Sequence, residues 1–217
     1  MRRRAYVSSV RTAAAAEKRD RVIEAAARTL REDASISSFS LDNVAKTAGV
    51  TRLTVYNQFG SRRGLLEAVF DGIARQGGLT EIPDAMAMAD PLTALDRLVQ
   101  IFCDFWNRDR AVGRLHEAMA TDPEFAEALL ERNERRRKAV DALIGRIAEN
   151  TASPRARRDA VDLIFALTSF ATFAMLSRDR AAEDVCRLVQ SACRAALGPL
   201  SRSVEVSPGD KASPTPS

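Results

Sequence analysis

The stretch from residue 40 to residue 62, SLDNVAKTAGVTRLTVYNQFGSR, constrains the fold more than any other part of the chain. It holds two short apolar patterns of helical type with a glycine between them. Leu41, Val44 and Ala45 fall on one side of a helix predicted over 41–48, and Ser40 stands where an N-cap belongs. Gly49 follows at the position where a left-handed residue closes a helix. Thr51 can cap a second helix over 52–59, in which Val55 and Phe59, four apart, share a face. Two short helices around a glycine-containing turn form a helix-turn-helix, whose second helix offers its surface residues to base edges in the DNA major groove. Arg52, Leu53, Thr54, Asn57 and Gln58 lie off the packed face. Arginine can grip guanine, Asn or Gln can grip adenine, and a threonine methyl can touch that of thymine.

Helical periodicity continues on both sides of this segment. A helix is predicted over 17–33, with Val22, Ile23, Ala26, Ala27 and Leu30 on one face, and another over 61–75. Gly77-Gly78 and Pro83 mark a break. Further helices are expected over 91–108, 111–119, 122–150, 154–176 and 181–197, which makes about nine in an all-α chain with no convincing strand. Residues 1–16 are basic without an apolar period and read as a flexible arm, and residues 201–217, rich in Pro and Ser, read as a disordered tail. Between them, 17–62 form the helix-turn-helix domain and 63–200 the helical body.

Charge is unevenly placed. Residues 1–75 carry 14 Lys or Arg against 8 Asp or Glu, whereas the remainder carries 19 against 21. A basic end on a near-neutral body suits a polyanionic partner at that end. The three cysteines, Cys103, Cys186 and Cys193, lack metal-site spacing and read as reduced, buried thiols. No apolar signal-peptide core follows Arg2-Arg3-Arg4, and no stretch is apolar enough for a confident membrane span, so a cytoplasmic protein without membrane contact is expected. Metal clusters, phosphate-cradling glycine loops and Ser-His or Cys-His arrangements are absent from the sequence. Neither enzymatic chemistry nor a cofactor or metal is therefore expected.

Residues 39–70, FSLDNVAKTAGVTRLTVYNQFGSRRGLLEAVF, together with RDRVIEAAARTL at 19–30, resemble the tetracycline-repressor (TetR) family of bacterial regulators. The resemblance covers roughly the first third of the chain. It implies an N-terminal three-helix helix-turn-helix DNA-binding domain and a C-terminal helical ligand-binding and dimerisation domain. It further implies a homodimer on a palindromic double-stranded operator, most often a repressor released by a small apolar or aromatic effector. Carried onto matching positions, Arg52, Leu53, Thr54, Asn57 and Gln58 would face the groove. Thr54 and Tyr56 would touch phosphate or base, and Arg62 would meet a phosphate. Ser40 and Thr51 would cap helices whose N-termini approach the backbone. Asp42 departs from what DNA favours unless a neighbour pairs with it, and Ser35–Ser38 lacks the glycine that the family usually places there.

In the body, Phe102, Phe105, Trp106, His116, Met119 and Phe125 are candidates for an effector pocket, since an apolar, aromatic-lined cavity with a few polar groups suits a small ligand. A ligand-blind regulator with a packed body is the alternative, and a cavity would separate the two. The basic run Arg132–Lys138 reads as a solvated helix face. Helices 154–176 and 181–197 are apolar on more than one side. Two copies of the pair would cover each other as a four-helix bundle through Ile164, Phe165, Thr168, Thr172, Val185, Leu188 and Val189.

Overall fold

Most helices of this chain start where a side chain can accept the free N–H groups of the first turn. Ser40, Thr51, Ser61, Ser153 and Ser169 each accept from the backbone N–H three residues on. Asp90 accepts from both Leu92 and Thr93, and Asp122 from Phe125. Gly49, at φ 66°, and Gly60, at φ 73°, close two of the short helices in the left-handed region that glycine tolerates best.

The computed structural model describes residues 2–32, 36–148 and 152–201. Its helices are α1 (Arg2–Glu32), α2 (Leu41–Ala48), α3 (Arg52–Phe59), α4 (Arg62–Gln76), α5 (Ile82–Met86), α6 (Pro91–Arg108), α7 (Ala111–Ala118), α8 (Pro123–Ala148), α9 (Pro154–Leu167), α10 (Phe170–Leu176), α11 (Ala182–Ala196) and α12 (Gly198–Ser201). No strand occurs among the described residues. The fold is all-α, with a helix-turn-helix head on a helical body. In the head, Val22, Ala26 and Leu30 of α1 pack with Val44, Val55, Phe59, Leu65 and Leu66, all buried. Helix α4 belongs to both parts. Its first turns fill the head, and Phe70 and Ile73 enter the body, where Phe70 meets the edge of Phe105 at 6.0 Å between ring centres.

Three expectations change. Helix α1 begins at Arg2, where a flexible arm is expected, because the run Ala13–Ala16 carries the helix N-terminally at no cost in propensity. The long helix expected over 154–176 is two helices, α9 and α10, bent by 56°. Thr168 turns its hydroxyl onto the Ile164 carbonyl, and Ser169 caps a fresh start at Phe170. A short helix, α5, fills part of the break after α4. The tail expected over 201–217 lies outside the described residues beyond Ser201.

Ion pairs join head to body. Arg31 at the end of α1 grips Asp109 with Nη2–Oδ2 at 2.7 Å and Nε at 3.1 Å. Burial alone would raise the Asp109 carboxyl, but the Arg31 hydrogen bonds and the Ala111 N–H outweigh it and hold it below the usual carboxylate range. Arg62 at the start of α4 meets Asp122 at 2.9 Å, and Arg132 of α8 holds Asp71 of α4 at 2.9 Å. The three cysteines are buried free thiols. Among the described residues no single helix is long and apolar enough to cross a membrane; α9 and α10 pass together only by length and composition.

Candidate nucleic-acid interface and body cavity

Helix α3 buries Val55 and Phe59 and turns the opposite face outward. Arg52, Leu53, Tyr56 and Asn57 are all exposed there, Leu53 at 66% and Tyr56 at 56%. Residues at i, i+1, i+4 and i+5 cover one side of a helix, so these four form a continuous outer stripe. Two exposed apolar or aromatic side chains on one turn of a small head is an unusual surface for a chain in water alone. Thr51 and Thr54 flank the stripe, their hydroxyls 2.9 Å apart.

Three of the sequence-derived contact residues have partners within the chain. Arg52 pairs with Asp42 at 3.3 Å, which supplies the neighbour that this acid requires. Both side chains are more than half exposed, so the pair is worth only about 0–1 kcal/mol and Arg52 can exchange it for another anion. Gln58 is half-buried rather than presented. Its Oε1 is closed off without a hydrogen-bond partner, and its backbone carbonyl accepts from Arg19, whose guanidinium lies 4.4 Å from the Phe59 ring centre. Arg62 is turned toward the body, held by Asp122 and by the Phe39 carbonyl at 3.3 Å. Neither Gln58 nor Arg62 belongs to the outer stripe.

In the body, α6 contributes Phe102, Phe105 and Trp106 to one wall of a cavity of about 360 Å³. Phe70 of α4, Ile82 and Pro83 of α5 and Arg136 of α8 complete it. His116, Met119 and Phe125 do not line it. Phe125 is fully buried in the general core, and Met119 packs half-buried against that core. His116 stands behind Trp106, edge-on at 5.7 Å, and tilts against Phe170 at 4.3 Å.

The basic run of α8 is not a solvated face throughout. Arg132 points inward to Asp71, with a side chain only 14% exposed, and Arg136 is buried. Arg136 Nη1 donates to the Phe165 carbonyl and to Thr168 Oγ1, both at 2.7 Å, and its guanidinium lies 4.0 Å from the Phe165 ring centre. These acceptors exist because α9 ends there and leaves its last carbonyls free, at the negative end of the helix dipole. Trp106 Nε1 uses the same break, donating to the Thr168 carbonyl at 3.0 Å. Desolvation pulls the Arg136 pKa down to about 10, still a cation at neutral pH.

Residues 23–69, from within α1 to within α4, match the family of bacterial regulatory proteins called TetR. The HTH-type transcriptional regulator EthR of Mycolicibacterium smegmatis is 31% identical over 139 residues, 63% of this chain and 64% of that protein. The matched part thus spans just under two thirds of that relative. EthR of Mycobacterium tuberculosis is 28% identical over 164 residues, 72% of this chain and 76% of the relative. The crystal structure of a TetR-family transcriptional regulator from Rhodococcus sp. superposes with a TM-score of 0.68 over 83% of this chain and 99% of that one; at 19% identity, this likeness is one of fold. Residues 23–69 are thus similar to the N-terminal segment of TetR-family regulators. The matched segment spans α2 and α3 and the parts of α1 and α4 that pack against them.

Of the residues that the TetR resemblance and the apolar pattern assign to a dimer face, Ile164, Thr168, Val185 and Val189 are buried within the chain itself. They cannot meet a partner without repacking. Phe165 and Thr172 are half-buried, and Leu188 is exposed. The outward apolar side chains on these helices are Leu163, Met175 and Leu188, at 53%, 61% and 43% exposure. Phase explains the difference: α9 turns Ile164 to the core and its neighbour Leu163 outward. The cavity residues that sequence reasoning missed are Phe70, Ile82, Pro83 and Arg136. Arg136 carries a signal, since it lies seven after Leu129 and four before Val140, in register with the buried stripe of α8.

His116 is the chain's only histidine. Burial holds its pKa below the ordinary 6.5, the nearby Arg136 charge acts the same way, and the bond between Nδ1 and the Val112 carbonyl opposes both. The unfolded chain therefore takes up a proton before the folded one does. Stability is full above about pH 6.5 and falls as pH drops below it toward the folded-state value. Denaturant unfolding at pH 7.5 and 5.5 checks this. The decline between the two should disappear in His116→Gln, and an equal decline in both proteins would show that another group carries it.

Proposed function

We propose that this chain is a homodimeric, sequence-specific DNA-binding regulator of transcription, acting as a repressor in the cytoplasm, that releases a palindromic operator when a small effector fills the body cavity. The observation that carries the reading is the outer stripe of α3, in which Arg52, Leu53, Tyr56 and Asn57 face away from the protein with Thr54 beside them. A guanidinium, an amide, a phenol and a methyl on one exposed helix face suit major-groove edges and flanking phosphates. The relatives named as HTH-type transcriptional regulators support the same reading.

The exposed apolar side chains Leu163, Met175 and Leu188 support a second copy of the chain as partner. A two-fold dimer would set two α3 helices against successive major grooves, one helical turn apart. The cavity favours a ligand-responsive protein over a ligand-blind one. Helix α4 offers the mechanical path, since Phe70 and Asp71 border the cavity while Leu65 and Leu66 anchor the head. An effector that fits one setting of α4 better than another would shift the spacing of the two heads by its difference in affinity.

The test is selection of duplexes from a random pool by the purified protein, followed by fluorescence anisotropy over a salt series. Recovery of a palindrome bound by two chains, with affinity falling steeply as salt rises, is the expected result. Weak binding without sequence preference would overturn the proposal.

A further inference from the structure

The cavity has a lining charge that its apolar walls do not require. Arg132, Arg135 and Arg136 border it, against one carboxylate, Asp71, and that carboxylate is held by Arg132 through two bonds to Nη2, at 2.9 and 3.1 Å, and one to Nε. Arg136 is the exceptional member. It is buried to 8% exposure, and among the described residues no carboxylate pairs with it. Its Nη1 is engaged by the carbonyl and hydroxyl at the end of α9. The opposite edge, formed by Nε and Nη2, makes no hydrogen bond among the described residues, and Nε is sealed from solvent with no acceptor beside it.

Burying a cation is costly, and the bonds to the end of α9 offset only part of that cost, because Nε and Nη2 are left without an acceptor. Apolar residues of similar volume would fill the space at lower cost. The unsatisfied edge has a specific chemistry. Nε and Nη2 present parallel N–H bonds, the fork that matches the two oxygens of a carboxylate. Arg136 lines the cavity together with Phe102, whose ring centre lies 5.8 Å from the guanidinium, and with Trp106, Phe70, Phe105 and Ile82. A ligand that satisfies both parts has a planar anionic head and an apolar body.

We infer that the effector is a small amphiphilic carboxylate, its head on the free edge of Arg136 and its hydrocarbon body among the aromatic side chains of α6 and α4. The inference rests on the regulator reading above and narrows it to one chemical class. The charge of the head would replace the missing counter-ion. The cavity would thereby discriminate against neutral analogues of the same shape, because these leave the buried guanidinium unpaired.

The experiment uses octanoate and 2-naphthoate with their primary amides, titrated calorimetrically into the full-length protein. Quenching of Trp106, the sole tryptophan, serves as a second readout for the octanoate pair. At least one acid is expected to bind tenfold or more tightly than its amide. In Arg136→Met that preference should vanish while the amide binds as before, and Arg136→Lys, which keeps a charge but loses the fork, should retain only part of it. Acids and amides binding alike, neither acid binding, or a preference unchanged in Arg136→Met would each overturn the inference. Anisotropy with the selected duplex, run on the same samples, keeps the two proposals apart. Tight operator binding without acid binding defeats only the effector class, and loss of sequence-specific binding in the unliganded wild-type protein defeats the regulator reading itself.

Discussion

Replacing Tyr56 and Asn57 together by alanine is expected to weaken binding to the selected duplex about a hundredfold, since each lost base or phosphate contact costs about 1–3 kcal/mol and 1.4 kcal/mol is tenfold. Both side chains are exposed on α3. Their loss should leave thermal unfolding close to wild type, as surface substitutions away from caps and core usually do. Gln58→Ala provides the contrast. Its side-chain oxygen is already enclosed, so DNA affinity should stay near wild type. Anisotropy at fixed salt measures all three proteins. Wild-type affinity in the double variant would remove α3 from the interface, and a large loss in Gln58→Ala would mean that this side chain rotates outward on DNA.

The second large effect is expected at the joint between head and body. Asp122 caps α8 through the Phe125 N–H at 3.0 Å and pairs with Arg62 at 2.9 Å, with both side chains less than a third exposed. Asp122→Ala removes the cap and leaves a half-buried guanidinium without its anion, a combined cost of about 2–4 kcal/mol. Asp122→Asn keeps an equally good cap and loses only the charge, so it should retain about half of that stability. Urea unfolding of both variants, and of each combined with Arg62→Ala, isolates the pair. The double variants should be less destabilised than the sum of the singles. Arg62→Ala should leave the salt dependence of DNA binding unchanged. A slope reduced by about one would return Arg62 to the phosphate contacts that the sequence resemblance gives it.

These two predictions depend on different kinds of information. The stripe on α3 follows almost entirely from local sequence. Val55 and Phe59 fix which side of a two-turn helix is buried, so the exposed side is known without any coordinates. The role of Arg62 does not follow from sequence, because Asp122 lies sixty residues away and only the packing of α4 against α8 brings them together. Gln58 is an intermediate case. Its position beside Phe59 leaves its exposure to α1, whose approach places Arg19 over the end of α3.

Sequence by itself determined α2 and α3, the two helices of the helix-turn-helix, and their ends. Ser40, Gly49, Thr51 and Gly60 act within four residues of themselves, and short-range hydrogen bonding and backbone sterics do not depend on the remainder of the chain. It also determined that Phe102, Phe105 and Trp106 lie inward, because an amphipathic helix has one apolar face. Tertiary structure alone decided which inward residues border a cavity and which fill the core, as the separate positions of Trp106 and Phe125 show. It decided as well that Ile164 and Val185 belong to the chain's own core while Leu163 and Met175 face out, since a helix apolar on two sides gives no sign of which side its own chain will cover. Above all, it decided the setting of Arg136. A basic residue in register with an apolar stripe is ambiguous in sequence, and only the break between α9 and α10 supplies the free carbonyls that let a buried cation stand there without a carboxylate.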